Sequence, residues 1–228
     1  MALHHLKKYP TEEERSGPWD ISEKWGRAKV WYWLSKIQAL KHEKIVWPND
    51  WGTDIWVISV DGTHCWINEP QHPEWSQDKE FYSHKYAKAG INYEFGIAIA
   101  TSRLVWMNGP FKAGVNDVKI FSERGLQAKL AECRKKAIGD RGYRGKEYEK
   151  QVSTYNAHDS RNVKKFKSRA LKRHENFNGM TKRFACLHGR FRHGAGQFAT
   201  CFEAVAVICQ YQIESTQPLY DVLIEDIV

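Results

Sequence analysis

The sequence predicts an α/β fold: a mixed sheet of three antiparallel strands followed by parallel strands, flanked by helices and preceded by a short helix-turn-helix-like segment. Three observations predict it. Ile55 to Val60 is a β-branched and aromatic run that reads as a buried strand. Tyr93 to Thr101 and Leu104 to Asn108 are two further apolar runs, set to form a hairpin around Ser102-Arg103. After them the pattern turns helical, interrupted only by the short apolar stretch Ala137-Ile138-Gly139. The order is strand, strand, strand, helix, strand, helix, helix.

The opening stretch, Leu3 to Leu40, reads as helices broken at Ser16-Gly17-Pro18, where glycine and proline both end a helix. Asp20 or Ser22 caps the second of them. Trp25, Ala28, Val30, Trp31, Trp33, Leu34, Ile37 and Leu40 recur at three- and four-residue spacing and give it an apolar face, with Lys24, Arg27 and Lys29 outside. This is either the DNA-reading half of a helix-turn-helix or a plain helical hairpin packed on the main domain. The turn cluster Val46 to Gly52 marks the boundary between a helical unit, residues 1–48, and a main domain, residues 49–228.

Between the first two strands lies a long polar segment, Trp66 to Gly90, in which Trp75, Tyr82, His84, Lys85, Tyr86 and Lys88 interleave rings and bases. Such a segment suits either a DNA strand or a surface flap. Asn116 or Asp117 caps a helix running to about Leu130, a structural task that leaves Asp117 without a catalytic one. Ala137-Ile138-Gly139 leads as a strand into Asp140, and Arg141 to Gly145 turns sharply. Arg161 to Phe184 is helical with an irregularity at Gly179, and a last helix spans Ala199 to Gln212.

With 228 residues, 42% of them hydrophobic, and ten Trp, the chain has ample material for one sizeable core. A formal charge of +8 favours a polyanionic partner, nucleic acid first. No apolar run approaches the roughly 18–20 residues a membrane span needs. The five cysteines are odd in number and widely spaced, and no signal-type segment precedes them, which fits a reducing, intracellular setting.

Chemistry is carried by carboxylates. Asp61 stands at the end of the first strand, in phase with Ile55, Val57 and Ser59, so it can face a pocket at the sheet. Asp140 follows a later strand and Glu175 lies on a later helix. Three such acids on rigid elements can hold two divalent ions, which supply a nucleophilic water and relieve charge on a leaving phosphodiester oxygen. Each acid also has a plain reading. Asp61 and Asp140 suit turns before Gly62 and Gly142. Glu175 suits surface ion pairs, with Glu147 and Glu149 as rival third ligands.

Three motifs carry a resemblance. Val60-Asp61-Gly-Thr-His64, Gly139-Asp140-Arg-Gly-Tyr-Arg-Gly145 and Glu175-Asn-Phe-Asn-Gly-Met-Thr-Lys-Arg-Phe184 occur in order and at matching spacing. The chain in this respect resembles the acidic-triad (DDE) transposases, specifically the Harbinger group of eukaryotic DNA transposons and their bacterial insertion-sequence relatives, from Trp51 to Asp221. The resemblance implies a ribonuclease-H-like domain with Asp61, Asp140 and Glu175 as catalytic and metal-holding residues for two Mg2+ or Mn2+ ions. It implies cutting of transposon ends and joining of the freed 3′ hydroxyl to target DNA. It further implies a nuclear location, a homo-oligomer on double-stranded DNA and a separate Myb-like DNA-binding partner. The family carries a longer N-terminal DNA-binding region than the residues before Trp51 provide, which points to a truncated copy or a trimmed chain.

The bases expected on DNA are Lys85, Arg141, Arg144, Lys164, Lys165, Lys167, Arg169, Lys172, Arg173, Lys182 and Arg183, whose density beside the acids suits phosphate contacts. Two other functions share these features: a catalytically silent DNA-binding or assembly protein with the same fold, and a plain two-metal nuclease. Cys186, His188, His193 and Cys201 offer a zinc alternative, without a paired Cys-x-x-Cys. His64 suits either orientation of the metal site or simple burial.

Overall fold

The computed structural model describes residues 1–69 and 79–223. Pro70, Pro73 and Trp75 of the polar segment lie outside the described residues. Four helices open the chain: α1 (Ala2–Lys8), α2 (Glu12–Ser16), α3 (Glu23–Ala39) and α4 (Lys41–Lys44). The expected break falls at Gly17–Trp19, a 3-10 turn, and Ser22 caps α3 by accepting from the Trp25 N–H. A second break was not foreseen: Tyr9 takes a left-handed conformation before Pro10, and Thr11 with Glu14 forms a capping box that starts α2. The buried stripe of α3 is also narrower than its sequence suggests. Val30 and Leu34 are buried and Trp31 and Ile37 partly so, but Trp25 (48%) and Trp33 (54%) stand exposed with Ala28 and Leu40.

The sheet contains β1 (Trp56–Trp66), β2 (Tyr82–Ser83), β3 (Lys88–Ala98), β4 (Leu104–Lys112), β5 (Lys136–Ile138) and β6 (Val152–Ser153). β1, β3 and β4 are antiparallel neighbours, β5 lies parallel to β1 on its other edge, and β6 lies parallel to β5. This is the ribonuclease-H-like order expected. β1 and β3 are longer than the apolar runs that announced them, because antiparallel pairing continues through Thr63, His64 and Cys65. Part of the polar segment is not loop: Tyr82 and Ser83 pair with Ala89 and Lys88.

Helices α5 (Asp117–Glu123) and α6 (Leu126–Glu132) replace the single helix expected there. Gly125 separates them at φ 104, a conformation that favours glycine. Next come α7 (Arg161–Lys182), α8 (Ala185–His188) and α9 (Ala195–Ser215). Ser160 caps α7 by accepting from the Val163 N–H, and the helix runs through Gly179 without a break. Phe166, Ala170, Phe177 and Met180 form its buried face. α9 is apolar nearly all round, and its Phe198 and Phe202 share one hydrophobic cluster with Phe95 and Phe177 and with Leu6, Val30 and Leu34 of the N-terminal helices. A second cluster, under α5 and α6, gathers Val60, Val105, Phe121, Leu130 and Tyr143. Among the described residues no helix is long and apolar enough to cross a membrane.

Candidate active site

The site arises because β1 outruns its parallel neighbour. β5 pairs with β1 only as far as Ser59, whereas β3 follows the other edge to Trp66. Beyond Ser59 the β5 side of β1 is therefore open, at the carboxyl ends of two parallel strands, where α/β sheets place their ligand crevices. Asp61 is the second residue past that point and is half-buried. Its Oδ1 accepts from the Gly62 N–H at 2.8 Å, and its Oδ2 accepts from Asn178 Nδ2 on α7 at 3.1 Å. Burial, then the charges of Asp140 and Asp117, push the Asp61 carboxyl up to about 7; the Gly62 N–H and the Lys85 ammonium pull the other way.

Asp140 stands just past β5 and caps a 3-10 turn, Arg141–Tyr143, by accepting from the Gly142 N–H at 2.7 Å. The turn expected of Asp140 thus exists, and the carboxylate remains exposed beside Asp61. Glu175 is an exposed residue of α7 that faces Asp140 across a groove of about 560 Å3. Along α7, Lys164, Ser168, Leu171, Lys172 and Glu175 line that groove at helical spacing, with Arg141 and Tyr155 opposite. Asn178, three residues beyond Glu175, is the part of the helix that reaches Asp61. The structure thus brings Asp61 to Asp140 and Asp140 to Glu175, with α7 spanning both.

Sequence reasoning missed one acid. Asn116, not Asp117, caps α5, its Oδ1 accepting from the Val118 N–H at 2.9 Å. Asp117 is half-buried beside Asp61 and Asp140, and burial followed by the Asp140 charge raises its carboxyl pKa. The signal was present: of two adjacent residues able to cap, only one is needed, and the other is left free.

The candidate bases divide. Lys165, Lys172, Arg141 and Arg183 are exposed, and Arg141 lies over the Tyr155 ring. Lys85 is exposed within electrostatic reach of Asp61 and Asp117. Arg144 donates to the Tyr155 carbonyl, Lys164 to the Ala157 carbonyl and Arg169 to the Asp221 carbonyl. Lys182 is tied to the His64 and Leu187 carbonyls and to Cys65 Sγ. Two expectations are corrected outright. Lys167 is buried and its ammonium is held by the Thr154 carbonyl and Asp159. Arg173 is wholly buried and donates to the Ala98 and Ile99 carbonyls and to Ser102 Oγ, so it ties down the β3–β4 hairpin turn instead of meeting a phosphate.

The zinc alternative also falls. Cys186 and Cys201 are buried against each other, while His188 is exposed and His193 is engaged with the Tyr9 hydroxyl at 2.7 Å. Among the described residues no three His, Cys, Asp or Glu side chains stand close enough together to hold a metal ion, which applies to the zinc candidates and the carboxylates alike. His64 stacks on Tyr86 and pairs with Asn92 through Nδ1, with Nε2 buried and unpartnered.

The carboxylates are donors of a different kind. They are hard oxygen donors, and Asp61, whose carboxyl is raised first by burial, also feels the charges of Asp140 and Asp117. Magnesium and manganese suit such donors, and magnesium keeps several waters, so an open set suffices. A family model described as DDE superfamily endonuclease matches residues 60–210, from the residue before Asp61 into α9. The chain belongs to this family. The matched span includes Asp61, Asp117, Asp140 and Glu175 and the whole of α7. Comparison with curated proteins and with solved structures gave no match.

Proposed function

We propose that this DDE superfamily endonuclease is a transposase catalytic domain of the Harbinger group, which cuts DNA phosphodiesters at transposon ends and joins the 3′ hydroxyl to target DNA. The observation that carries the reading is the approach of Asp61, which lies within β1 and not at its end as expected, to Asp140 just past β5, with Glu175 across a lysine-lined groove. Asp61, Asp140 and Glu175 would hold two Mg2+ or Mn2+ ions, which when bound supply an activated water and neutralise charge on the leaving oxygen. The protein's own side chains do the rest. Asn178 fixes the rotamer of Asp61, and the Gly142 N–H fixes that of Asp140. Lys165, Lys172 and Arg141 offer positive charge to a backbone lying along the groove. Double-stranded DNA, a Myb-like accessory protein, assembly on DNA and action in the nucleus belong to the same proposal.

Labelled duplex bearing candidate element ends, incubated with Mg2+ or Mn2+, tests it. Asp140→Ala is expected to lower cutting by about 10²–10³-fold, the scale of losing one electrostatic contact to a transition state, with DNA binding retained. Cutting without joined product would select the plain nuclease. Tight, salt-sensitive binding without cutting by the parent chain would select the silent DNA-binding protein.

A further inference from the structure

We propose that Tyr155 is a stacking platform for an unpaired DNA base, placed in the groove beside Asp140 so that the strand to be cut lies opened there. The proposal rests on the reading of that groove as the place where DNA is cut. Its first support is that the ring has no structural duty. Tyr155 is 45% exposed, belongs to none of the hydrophobic clusters and makes no hydrogen bond through its hydroxyl among the described residues. It lines the same groove as Asp140, Arg141 and Glu175.

The second support is how firmly the ring is carried. Tyr155 lies on the loop between β6 and α7, and three basic side chains hold carbonyls of that loop. Lys167 donates to the Thr154 carbonyl at 2.9 Å, Arg144 to that of Tyr155 at 3.1 Å and Lys164 to that of Ala157 at 2.6 Å. The Asn156 N–H donates to Asp159 Oδ2 and the His158 N–H to Asn156 Oδ1, which tightens the turn that follows. A loop so closely held presents its side chain in one place before any ligand arrives, which lowers the ordering cost of binding. Bases that the sequence suggested for phosphates thus position a ring.

The third support is what stands beside the ring. Arg141 Cζ lies 5.6 Å and Lys164 Nζ 5.9 Å from its centroid, and Arg141 makes no hydrogen bond or ion pair among the described residues. An exposed aromatic with cations next to it suits a single strand of nucleic acid, the ring taking a base and the cations its phosphates. A phosphate alone needs no ring. A base within a duplex has both faces covered by its neighbours, so only one freed from the helix offers a face to Tyr155. The groove's volume of about 560 Å3 falls within the range of roughly 300–1,000 Å3 that accepts a small organic group.

Fluorescence titration of the full chain, without divalent metal, tests the proposal without requiring activity. The probes are duplexes carrying a fluorescent adenine analogue at successive positions, each either paired or left unpaired in a short mismatch bubble. The parent is expected to quench the analogue at an unpaired position and not at its paired counterpart. Tyr155→Leu is expected to lose that quenching and to bind the bubble duplex about tenfold or more weakly, with unchanged affinity for the paired duplex, unchanged salt slope and unchanged Tm. Tyr155→Phe should keep the parent's preference for the bubble. If Tyr155→Leu quenches and binds like the parent, the proposal falls, and loss of cutting in Asp140→Ala still upholds the groove as the place of cutting. If Tyr155→Leu binds both duplexes more weakly with a smaller salt slope, the ring only props Arg141 and Lys164 against phosphates, and the proposal falls. If the parent binds neither duplex, the proposal and the reading of the groove fall together.

Discussion

Arg173 was expected on DNA because it lies in a basic run, yet its guanidinium is spent on three acceptors inside the protein. Burial lowers its pKa to about 10, so it stays charged at neutral pH. Arg173→Met should cost about 3–5 kcal/mol in urea denaturation, since buried acceptors lose a charged partner, while DNA affinity barely moves. Asp61 is the opposite case, a half-buried acid whose raised pKa opposes its charged form. In the unfolded chain it titrates near the ordinary carboxylate value and in the folded one near 7. The folded state therefore holds the proton more tightly, and this contribution to stability is full below the unfolded pKa and is lost as pH rises to about 7. Without divalent metal, melting temperature should fall across that window, and Asp61→Asn should flatten the slope; an unchanged slope would contradict the shift. The approach of Asp61 to Asp140 was legible because each directly follows an apolar strand run, although β1 goes on past Asp61 to Trp66 and Asp140 also caps a turn. Asp117 was hidden behind the capping duty its neighbour performs, and sequence shows charge without showing burial.

At the scale of elements, α7 joins two tasks. Its inner face is set by Phe166, Ala170 and Phe177, and Phe177 meets Phe95 edge-to-face with ring centroids 5.1 Å apart. Phe177→Ala should destabilise by about 3–5 kcal/mol, read by thermal or urea denaturation. Its outer face carries Lys165 and Lys172 along the groove. Replacing both with Ala should weaken DNA binding evenly across sequences and reduce the salt slope of log K by about 2, nearly one for each lost phosphate contact; an unchanged slope would place the DNA elsewhere. The helix was legible from its apolar spacing. The α5–α6 break was not, because Gly125 acts through a positive φ that periodicity does not report. Nor was β6, whose two residues acquire strand form only by pairing with β5.

For the whole molecule, the strand order was readable because each long run had its own period and its own stops. The part played by the first helices was readable only as one of two alternatives, a hairpin packed on the main domain, since packing between remote segments leaves no local pattern to decide it. Leu6, Val30 and Leu34 close the cluster around Phe198 and Phe202, and Lys41 with Gln38 holds the buried Glu203 of α9. Removing residues 1–44 should therefore bare apolar surface on α9 and abolish a cooperative melt. A truncated chain that still melts sharply would show that the sheet and its later helices stand alone.

The proposed acids are dispersed along the chain, at 61, 140 and 175, and the helix bearing the last also braces the first through Asn178. During ribosomal synthesis a competent constellation cannot assemble until α7 has emerged, and α9 must follow to seal the core behind it. An aborted or nicked polypeptide ending before residue 161 would carry two of the proposed acids without the helix that bears the third and braces the first.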